Sequence, residues 1–285
     1  MKKFLVAILI GVSLLFGVEG VDDNKTAVDE NQTVSPQPVI VKHTITYLNM
    51  DEQYKTFIKI FNKSECEIVP KVIVYGDNSE HNDKYSMFPI STSIKPMHSK
   101  IIFAKDIRSI AENIGIYLPD SFGMEVIYTC KGGKAFQREK AFPIVLQKSP
   151  EGQRVIPVDR NFNEVNPVGK GIIVIPHLFH EDEQSTIGGF TAFLKFLNTS
   201  DEDVIITIKA YPDSTGKEHV THWLIDKKKA TPIMSKDLYE ALNIPFDTSI
   251  ALVIEVPKHI EKIYPIAIQK TYDGPRVLTI YKAKE

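Results

Sequence analysis

The chain of 285 residues has only two cysteines, one tryptophan and no surplus of either charge. Two cysteines are too few for a disulfide-rich miniature fold or for a zinc site with four cysteine ligands. The 34 lysines and arginines are balanced by 36 aspartates and glutamates, so the basic surplus typical of nucleic-acid-binding proteins is missing. Hydrophobic residues make up 43% and charged residues 25% of the chain, which excludes a mainly disordered protein.

Familiar catalytic signatures are missing as well. The sequence contains no GxSxG, HExxH, GxxxxGK[ST] or GxGxxG motif, which are the patterns of common hydrolase, metalloprotease and nucleotide-binding sites. We therefore expect a protein without enzyme activity, without a cofactor and without a nucleic-acid partner.

The first twenty residues have the layout of a secretory signal peptide. Lys2 and Lys3 precede the uncharged run Phe4–Phe16, and Val18 and Gly20 suit a cleavage site after Gly20. At about 1.5 Å per residue this run is about 20 Å long, shorter than the ~30 Å hydrocarbon core of a bilayer. We therefore favour cleavage over retention as an anchor, and we predict export to the periplasm or the cell surface with no membrane span after cleavage.

Residues 21–41 are polar and acidic and lack an aromatic residue, so we expect a flexible leader. Asn24 and Asn31 each lie two positions after an aspartate and two positions before a threonine. This spacing resembles the extended acceptor sites of bacterial N-glycosylation, which makes both asparagines candidate glycosylation sites. The alternative is an unmodified leader, because these residue types are common in polar segments.

Most of the remaining chain consists of one pattern that occurs twice. EKAFPIVLQKSPEGQRV (Glu139–Val155) and EKIYPIAIQKTYDGPRV (Glu261–Val277) are identical at more than half of their positions. YKTFIKIFNKS (Tyr54–Ser64) likewise matches FTAFLKFLNTS (Phe190–Ser200). Matching blocks occur in the same order in both halves, which predicts an internal duplication.

Each unit is expected to be mostly β-strand. Phe57–Phe61 and its copy are apolar on both faces except at one lysine, which suits a strand buried within a sandwich. Turn signals separate further short strands, and one short helix is expected in each unit, with Ser235 as the N-cap of the second. The predicted fold class is all-β: two tandem antiparallel β-sandwiches, at 42–158 and 170–285, joined by a linker at 159–169.

Each unit begins with a buried strand, followed by an asparagine-containing turn and a second strand. The second strand ends in Tyr-x-Asp, which is Tyr75 to Asp77 in the first unit and Tyr211 to Asp213 in the second. This order resembles exported immunoglobulin-like and fibronectin type III-like domains. The resemblance covers most of both units. It implies a sandwich architecture and no active site.

The candidate sites are few. His177, His180 and Asp182 form the most metal-like cluster, although solvated loop residues are the alternative, because residues three apart on a strand point to opposite faces. Cys66 and Cys130 both fall in the first unit, and in an oxidising compartment they are expected to form a disulfide; two separate buried thiols are the alternative.

Four residues recur at matched positions of both units, either as a shared ligand surface or, as we favour, for structural reasons: Lys59/Lys195, Gln147/Gln269, Lys148/Lys270 and Arg154/Arg276. The resulting hypothesis is a non-catalytic exported protein that acts in binding or assembly, with other envelope or surface proteins or glycans as partners. The alternatives are a metal-dependent hydrolase with its site on the second unit and a periplasmic assembly chaperone that offers a strand edge to its clients.

Overall fold

The computed structural model describes residues 41–50, 54–76, 87–90, 93–132, 140–149, 152–162, 169–181, 191–271 and 274–284. The predicted signal peptide, nearly all of the predicted leader, and Asn24 and Asn31 lie outside these residues.

The described part of the first half contains nine strands and one helix. They are β1 (Val41–Asn49), β2 (Lys55–Asn62), β3 (Ile68–Gly76), β4 (Met87–Pro89), β5 (Ser99–Phe103), α1 (Ala104–Asn113), β6 (Ser121–Cys130), β7 (Ala141–Ser149), β8 (Gly152–Ile156) and β9 (Asp159–Phe162).

The second half contains the same succession of elements. They are β10 (Gly171–Leu178), β11 (Ala192–Asn198), β12 (Val204–Pro212), β13 (His219–Ile225), β14 (Lys229–Met234), α2 (Ser235–Leu242), β15 (Ile250–Val256), a single 3-10 turn at Ile260–Lys262, β16 (Ile263–Thr271), β17 (Gly274–Val277) and β18 (Tyr281–Lys284).

These strands form four antiparallel sheets, so the all-β prediction is confirmed. Sheet A has the strand order β4-β3-β6-β1-β9, and sheet B has the order β5-β2-β7-β8. In the second half, sheet C has the order β13-β12-β15-β10-β18, and sheet D has the order β14-β11-β16-β17. When the strands are numbered within each half, sheet C repeats the order of sheet A and sheet D repeats that of sheet B.

Alternation along the strands places one apolar row of each sheet in a core. In the first half, Ile58 of sheet B and Val72 of sheet A belong to one buried cluster. In the second half, Leu194 of sheet D and Ile206 of sheet C belong to another. Side chains on a strand point alternately to the two faces, so each half is a sandwich whose inner faces exclude water.

The described residues all belong to one compact unit, and the two halves pack on each other through sheets A and D. Ile266 and Ile268 on the outward side of sheet D join the buried cluster of the first half. Tyr75 of sheet A packs with Tyr264 and Leu197 of sheet D. The sheets are therefore ordered B, A, D, C, and at one edge β8 of sheet B also lies next to β17 of sheet D.

Two local expectations differ from the structure. Residues Asp159–Phe162, which we assigned to the linker, form strand β9 and pair with β1, so sheet A extends past the predicted boundary. Ser235 is not an N-cap: it is the first helical residue, and its hydroxyl accepts a hydrogen bond from the Ala192 N–H (2.9 Å). Among the described residues, neither helix is long and apolar enough to cross a membrane.

Candidate interaction surface

The candidate metal ligands hold structural partners where the structure describes them. His180 is 3% exposed, its Nδ1 lies 2.9 Å from Ser235 Oγ, and its ring packs edge-on against Phe246 at 4.7 Å between centroids. His177 is exposed, with Nδ1 2.9 Å from Ser249 Oγ. Asp182, the third candidate, lies outside the described residues. Within the described ranges, no group of three or more histidine, cysteine, aspartate or glutamate side chains is close enough to hold a metal ion.

The two cysteines are joined. Cys66 and Cys130 form a disulfide with their Cα atoms 5.7 Å apart, closing a loop with a sequence separation of 64. Cys130 is paired with Ile68 at the end of the β3–β6 ladder, so the bond fastens the strand to the turn that precedes β3. In the second half Glu202 occupies the place of Cys66 in an equivalent turn, as its hydrogen bonds show.

That turn is the same in both halves. Asn62 Nδ2 donates to the Cys66 carbonyl at 2.8 Å, and the Ser64 hydroxyl donates to Asn62 Oδ1 at 2.6 Å. Asn198 Nδ2 donates to the Glu202 carbonyl at 2.9 Å, and the Ser200 hydroxyl donates to Asn198 Oδ1 at 2.6 Å. Both asparagines are fully buried, so their amides supply partners to backbone groups that would otherwise lack them.

The matched glutamine and arginine of the first half serve its interior. Gln147 is fully buried, and its Nε2 donates to Thr56 Oγ1 at 2.9 Å. Arg154 Nε donates to Gln147 Oε1 at 2.6 Å, and the guanidinium lies over the rings of Tyr47 and Tyr54, both at 5.8 Å. These contacts support a structural role for Gln147 and Arg154.

The matched lysines differ in a way that the sequence does not reveal. Lys195 on β11 is 1% exposed, and its ammonium group donates to Ser121 Oγ at 2.6 Å across the contact between the halves. The same Nζ lies 5.1 Å from the centroid of the Tyr47 ring. Lys59, at the same position of β2, is exposed.

The contact between sheets A and D is closely fitted around these groups. A Cβ atom added at Gly123 would lie 3.0 Å from the Thr46 carbonyl oxygen and 3.1 Å from Leu197 of the second half. Glu125, 4% exposed on the outward side of sheet A, accepts a hydrogen bond from the Tyr75 hydroxyl at 2.7 Å. Its charge is also opposed by Lys42, whose Nζ lies 3.7 Å away. The interface therefore satisfies its buried polar groups and tolerates little added volume.

Strand register shows which residues of sheet B correspond to this interface. On sheet D, Lys195 pairs with Ile266 and Leu197 pairs with Tyr264. On sheet B, Lys59 pairs with Ile144 and Phe61 pairs with Phe142. Each sheet therefore presents the same outward arrangement of a lysine flanked by apolar side chains.

The exposure of these corresponding residues is opposite. Tyr264 and Ile266 are 3% and 2% exposed because sheet A covers them. Phe142 and Ile144 are 39% and 50% exposed. We call the outward side of sheet B the B face; it consists of the outward side chains of β2, β5, β7 and β8, among them Phe57, Lys59, Ile101, Phe142, Ile144 and Val155.

The B face is mostly apolar, with Lys59 among its central side chains and two further lysines at one margin. Phe57 packs edge-on against Phe103 at 6.3 Å between centroids. Lys55 and Lys148 are exposed and paired across β2 and β7, and no carboxylate occurs among the outward side chains of these four strands. A contiguous exposed apolar patch with a polar rim is typical of a protein–protein interaction site.

The apolar pattern of Phe57–Phe61 predicts a strand that is buried on both sides. The copy on β11 is buried in this way. On β2 only the inward residues are buried, so its outward phenylalanines and Lys59 constitute a surface. The apolar pattern of β2 is visible in the sequence, but the described residues of the first half do not cover the outward side of this strand.

No protein-family model, curated protein or solved structure matches this chain.

Proposed function

We propose that this chain is an exported, non-catalytic protein of the periplasm or cell surface that acts in binding or assembly through protein–protein contact. The observation that carries the proposal is the B face. It repeats, strand for strand, an arrangement that in the second half forms a closed interface, yet its own apolar side chains are exposed.

We further propose that the two halves are immunoglobulin-like domains that arose by internal duplication. The repeated strand order of the sheets supports this, as do the equivalent turns at Asn62 and Asn198. The hairpins β7–β8 and β16–β17 agree too, since both place a glycine with positive φ, Gly152 and Gly274, at the end of the turn. A residue with a Cβ rarely adopts this conformation, which explains the glycine at each position.

Export is supported by the signal-like first twenty residues and by the disulfide. A disulfide between Cys66 and Cys130 persists in the periplasm or outside the cell, whereas cytosolic reductants keep most thiols reduced.

Catalysis is disfavoured by what the candidate histidines do. His180 is held by the Ser235 hydroxyl and the Phe246 ring in the core, and His177 Nδ1 lies 2.9 Å from Ser249 Oγ. Both Nδ1 atoms are therefore engaged by hydroxyl groups of this chain, and the His180 ring is buried, which favours packing roles for these histidines.

Photo-crosslinking in the exporting host tests the proposal. A photoreactive amino acid replaces Ile144 on the B face in one strain, and Ile114, which follows α1 and is 53% exposed, in the control strain. We expect a discrete protein adduct from position 144 and none from position 114. Equal labelling at both positions, or no adduct at either, would contradict a binding role for the B face.

Metal analysis of the purified protein tests the alternative function, a metal-dependent hydrolase. We expect less than stoichiometric zinc, manganese or iron after purification without chelators. One firmly bound metal ion per chain, lost together with a hydrolytic activity on dialysis against a chelator, would overturn the non-catalytic assignment.

A further inference from the structure

The far side of the molecule presents a second exposed sheet face. We call the outward side of sheet C the C face; it consists of the outward side chains of β10, β12, β13 and β15, among them Val174, Ile205, Lys209, Val220, Leu224 and Glu255. Ile205 is 60% exposed, and Val220 and Leu224 are 46% and 49% exposed. Since the layers are ordered B, A, D, C, the B face and the C face lie at opposite ends of the stack.

The C face occupies the position in the second half that the docking side of sheet A occupies in the first. Tyr75 pairs with Gly123 on sheet A, and Tyr211 pairs with Ala251 on sheet C. The side of sheet A that contains Tyr75 and Gly123 receives sheet D within the chain. Its structural counterpart on sheet C has exposed apolar side chains, and Ala251 adds a methyl group at the place of Gly123, so a sheet docked there would lie slightly further away than sheet D lies from sheet A.

Resting on the proposed binding function, we propose that the occupant of the B face is the C face of a second copy of this chain. The contact would repeat between chains the packing of sheet D on sheet A within the chain. Each chain would then present one B face and one C face, and successive copies would stack head to tail as layers B, A, D, C, B, A, D, C.

The site that receives Lys195 has a counterpart on the C face. Lys195 lies against Tyr47 and Ser121. These residues directly precede Leu48 and Phe122, which are paired across β1 and β6. In the second half the corresponding pair is Leu178 and Ile250, across β10 and β15. The residues that directly precede this pair, His177 and Ser249, therefore occupy the positions of Tyr47 and Ser121. Both are at the surface and joined by a 2.9 Å hydrogen bond, so Lys59 of a second copy meets a hydroxyl and an aromatic ring again.

Charge favours this partner over a symmetrical contact of two B faces. Two B faces would bring Lys55, Lys59 and Lys148 of one copy against the same lysines of the other. The C face instead carries Glu255, which is paired with Lys209, and it adjoins Glu218, which accepts a hydrogen bond from Tyr211 at 2.6 Å. The mixed contact sets the paired charges of Lys209 and Glu255 against the lysines of the B face, whereas like charges at a symmetrical contact destabilise it.

A contact between two different surfaces is heterologous, and it does not close on itself unless the rotation per step happens to form a ring. The expected product is therefore a concentration-dependent series of head-to-tail oligomers. A closed dimer, by contrast, is the product of a symmetrical contact.

Two matched substitutions test the proposal on the chain from Val21 onward. Ile144→Glu places a carboxylate on the B face, and Ile205→Glu places one on the C face; both residues are at least half exposed, so the fold should tolerate either change. Ile114→Glu is the control, because it makes the same change at an exposed residue outside both faces. Circular dichroism and thermal unfolding should be the same for all four proteins.

Sedimentation velocity from about 1 µM to about 500 µM covers the range in which an interface of moderate affinity dissociates. For the unchanged chain and for Ile114→Glu, we expect a weight-average sedimentation coefficient that rises above the value of a dimer. For Ile144→Glu and for Ile205→Glu alone, we expect association weakened by about thirtyfold or more, the effect of losing a central contact.

The decisive sample is an equimolar mixture of Ile144→Glu and Ile205→Glu. The first variant retains an intact C face and the second an intact B face, so the mixture should form a one-to-one dimer and no larger species. If Ile144→Glu is monomeric while Ile205→Glu still dimerises, the contact is symmetrical and the proposal is wrong.

A chain that remains monomeric throughout the range also overturns self-assembly. That result is distinguishable from failure of the proposed function, which is tested separately by crosslinking at position 144. An adduct there that contains a different protein, identified by mass spectrometry, would retain the binding function and refute the second copy as the occupant.

Discussion

Truncation of Lys195 offers a direct measure of the contact between the halves. Lys195→Ala removes a side chain that is 1% exposed, together with a 2.6 Å hydrogen bond to Ser121 and a contact with the Tyr47 ring. Lys59→Ala is the matched control, because it makes the same change at the same strand position of sheet B, where the lysine is exposed.

The expected magnitude follows from separating the stem from the charge. Loss of three buried methylene groups costs about 2 kcal/mol at about 0.8 kcal/mol each, and the remaining cavity adds to this. The hydrogen bond of the ammonium group contributes about 1.5–3 kcal/mol, but removing the charge also relieves its desolvation, and these terms largely offset each other. We therefore expect Lys195→Ala to lower the free energy of unfolding by about 2–3 kcal/mol, and Lys59→Ala by less than about 0.5 kcal/mol.

Urea unfolding provides the measurement. Circular dichroism follows both halves, whereas the fluorescence of Trp223, the single tryptophan, reports on the second half. Lys195→Met retains the length of the stem and should recover most of the loss, which separates packing from charge. Equal destabilisation by Lys195→Ala and Lys59→Ala would refute the reasoning, since it would mean that the burial of Lys195 contributes nothing.

Three further changes have defined outcomes. Replacing Cys66 and Cys130 by serine should lower the free energy of unfolding by about 4 kcal/mol, the chain-entropy value for a separation of 64. In urea unfolding, a reductant should have no further effect on this variant. Equal stability of the variant and the oxidised protein would contradict the expectation. Gly123→Ala should cost about 1–2 kcal/mol in the same assay, because the added methyl group crowds the contact between the halves. Asn62→Ala and Asn198→Ala should each lower the free energy of unfolding by about 2 kcal/mol, because each leaves equivalent buried backbone groups without a hydrogen-bond partner. A large difference between the two variants would show that the turns are not equivalent.

The features predicted from the sequence are those that depend on short stretches of chain. The turn at Asn62 was predicted because asparagine bonds to backbone groups within a few residues, and its partners are indeed Ser64 and Cys66. Strand β2 was predicted from an apolar pattern contained within the strand itself. Such interactions are local, so the sequence pattern alone specifies them.

The features that were missed depend on partners distant in sequence. Strand β9 has little apolar character, and its register is provided by the antiparallel partner β1. Ser235 has the composition of an N-cap, but its hydroxyl is used by His180 and by the N–H of Ala192. A capping preference of about 1 kcal/mol is readily outweighed by two buried hydrogen bonds.

The difference between β2 and β11 shows why the candidate site could not be found by pattern alone. Both strands carry an outward lysine between apolar residues, and an alternating pattern specifies which side chains share a face without specifying what covers that face. Only the packing of sheet D on sheet A shows that the arrangement is compatible with a closed interface, because there the ammonium group of Lys195 finds a hydroxyl. Lys59 on the B face therefore does not argue against docking: the same residue in the same arrangement is already buried once in this molecule, beside the Ser121 hydroxyl and the Tyr47 ring, and a partner would need polar groups in those places to bury it again.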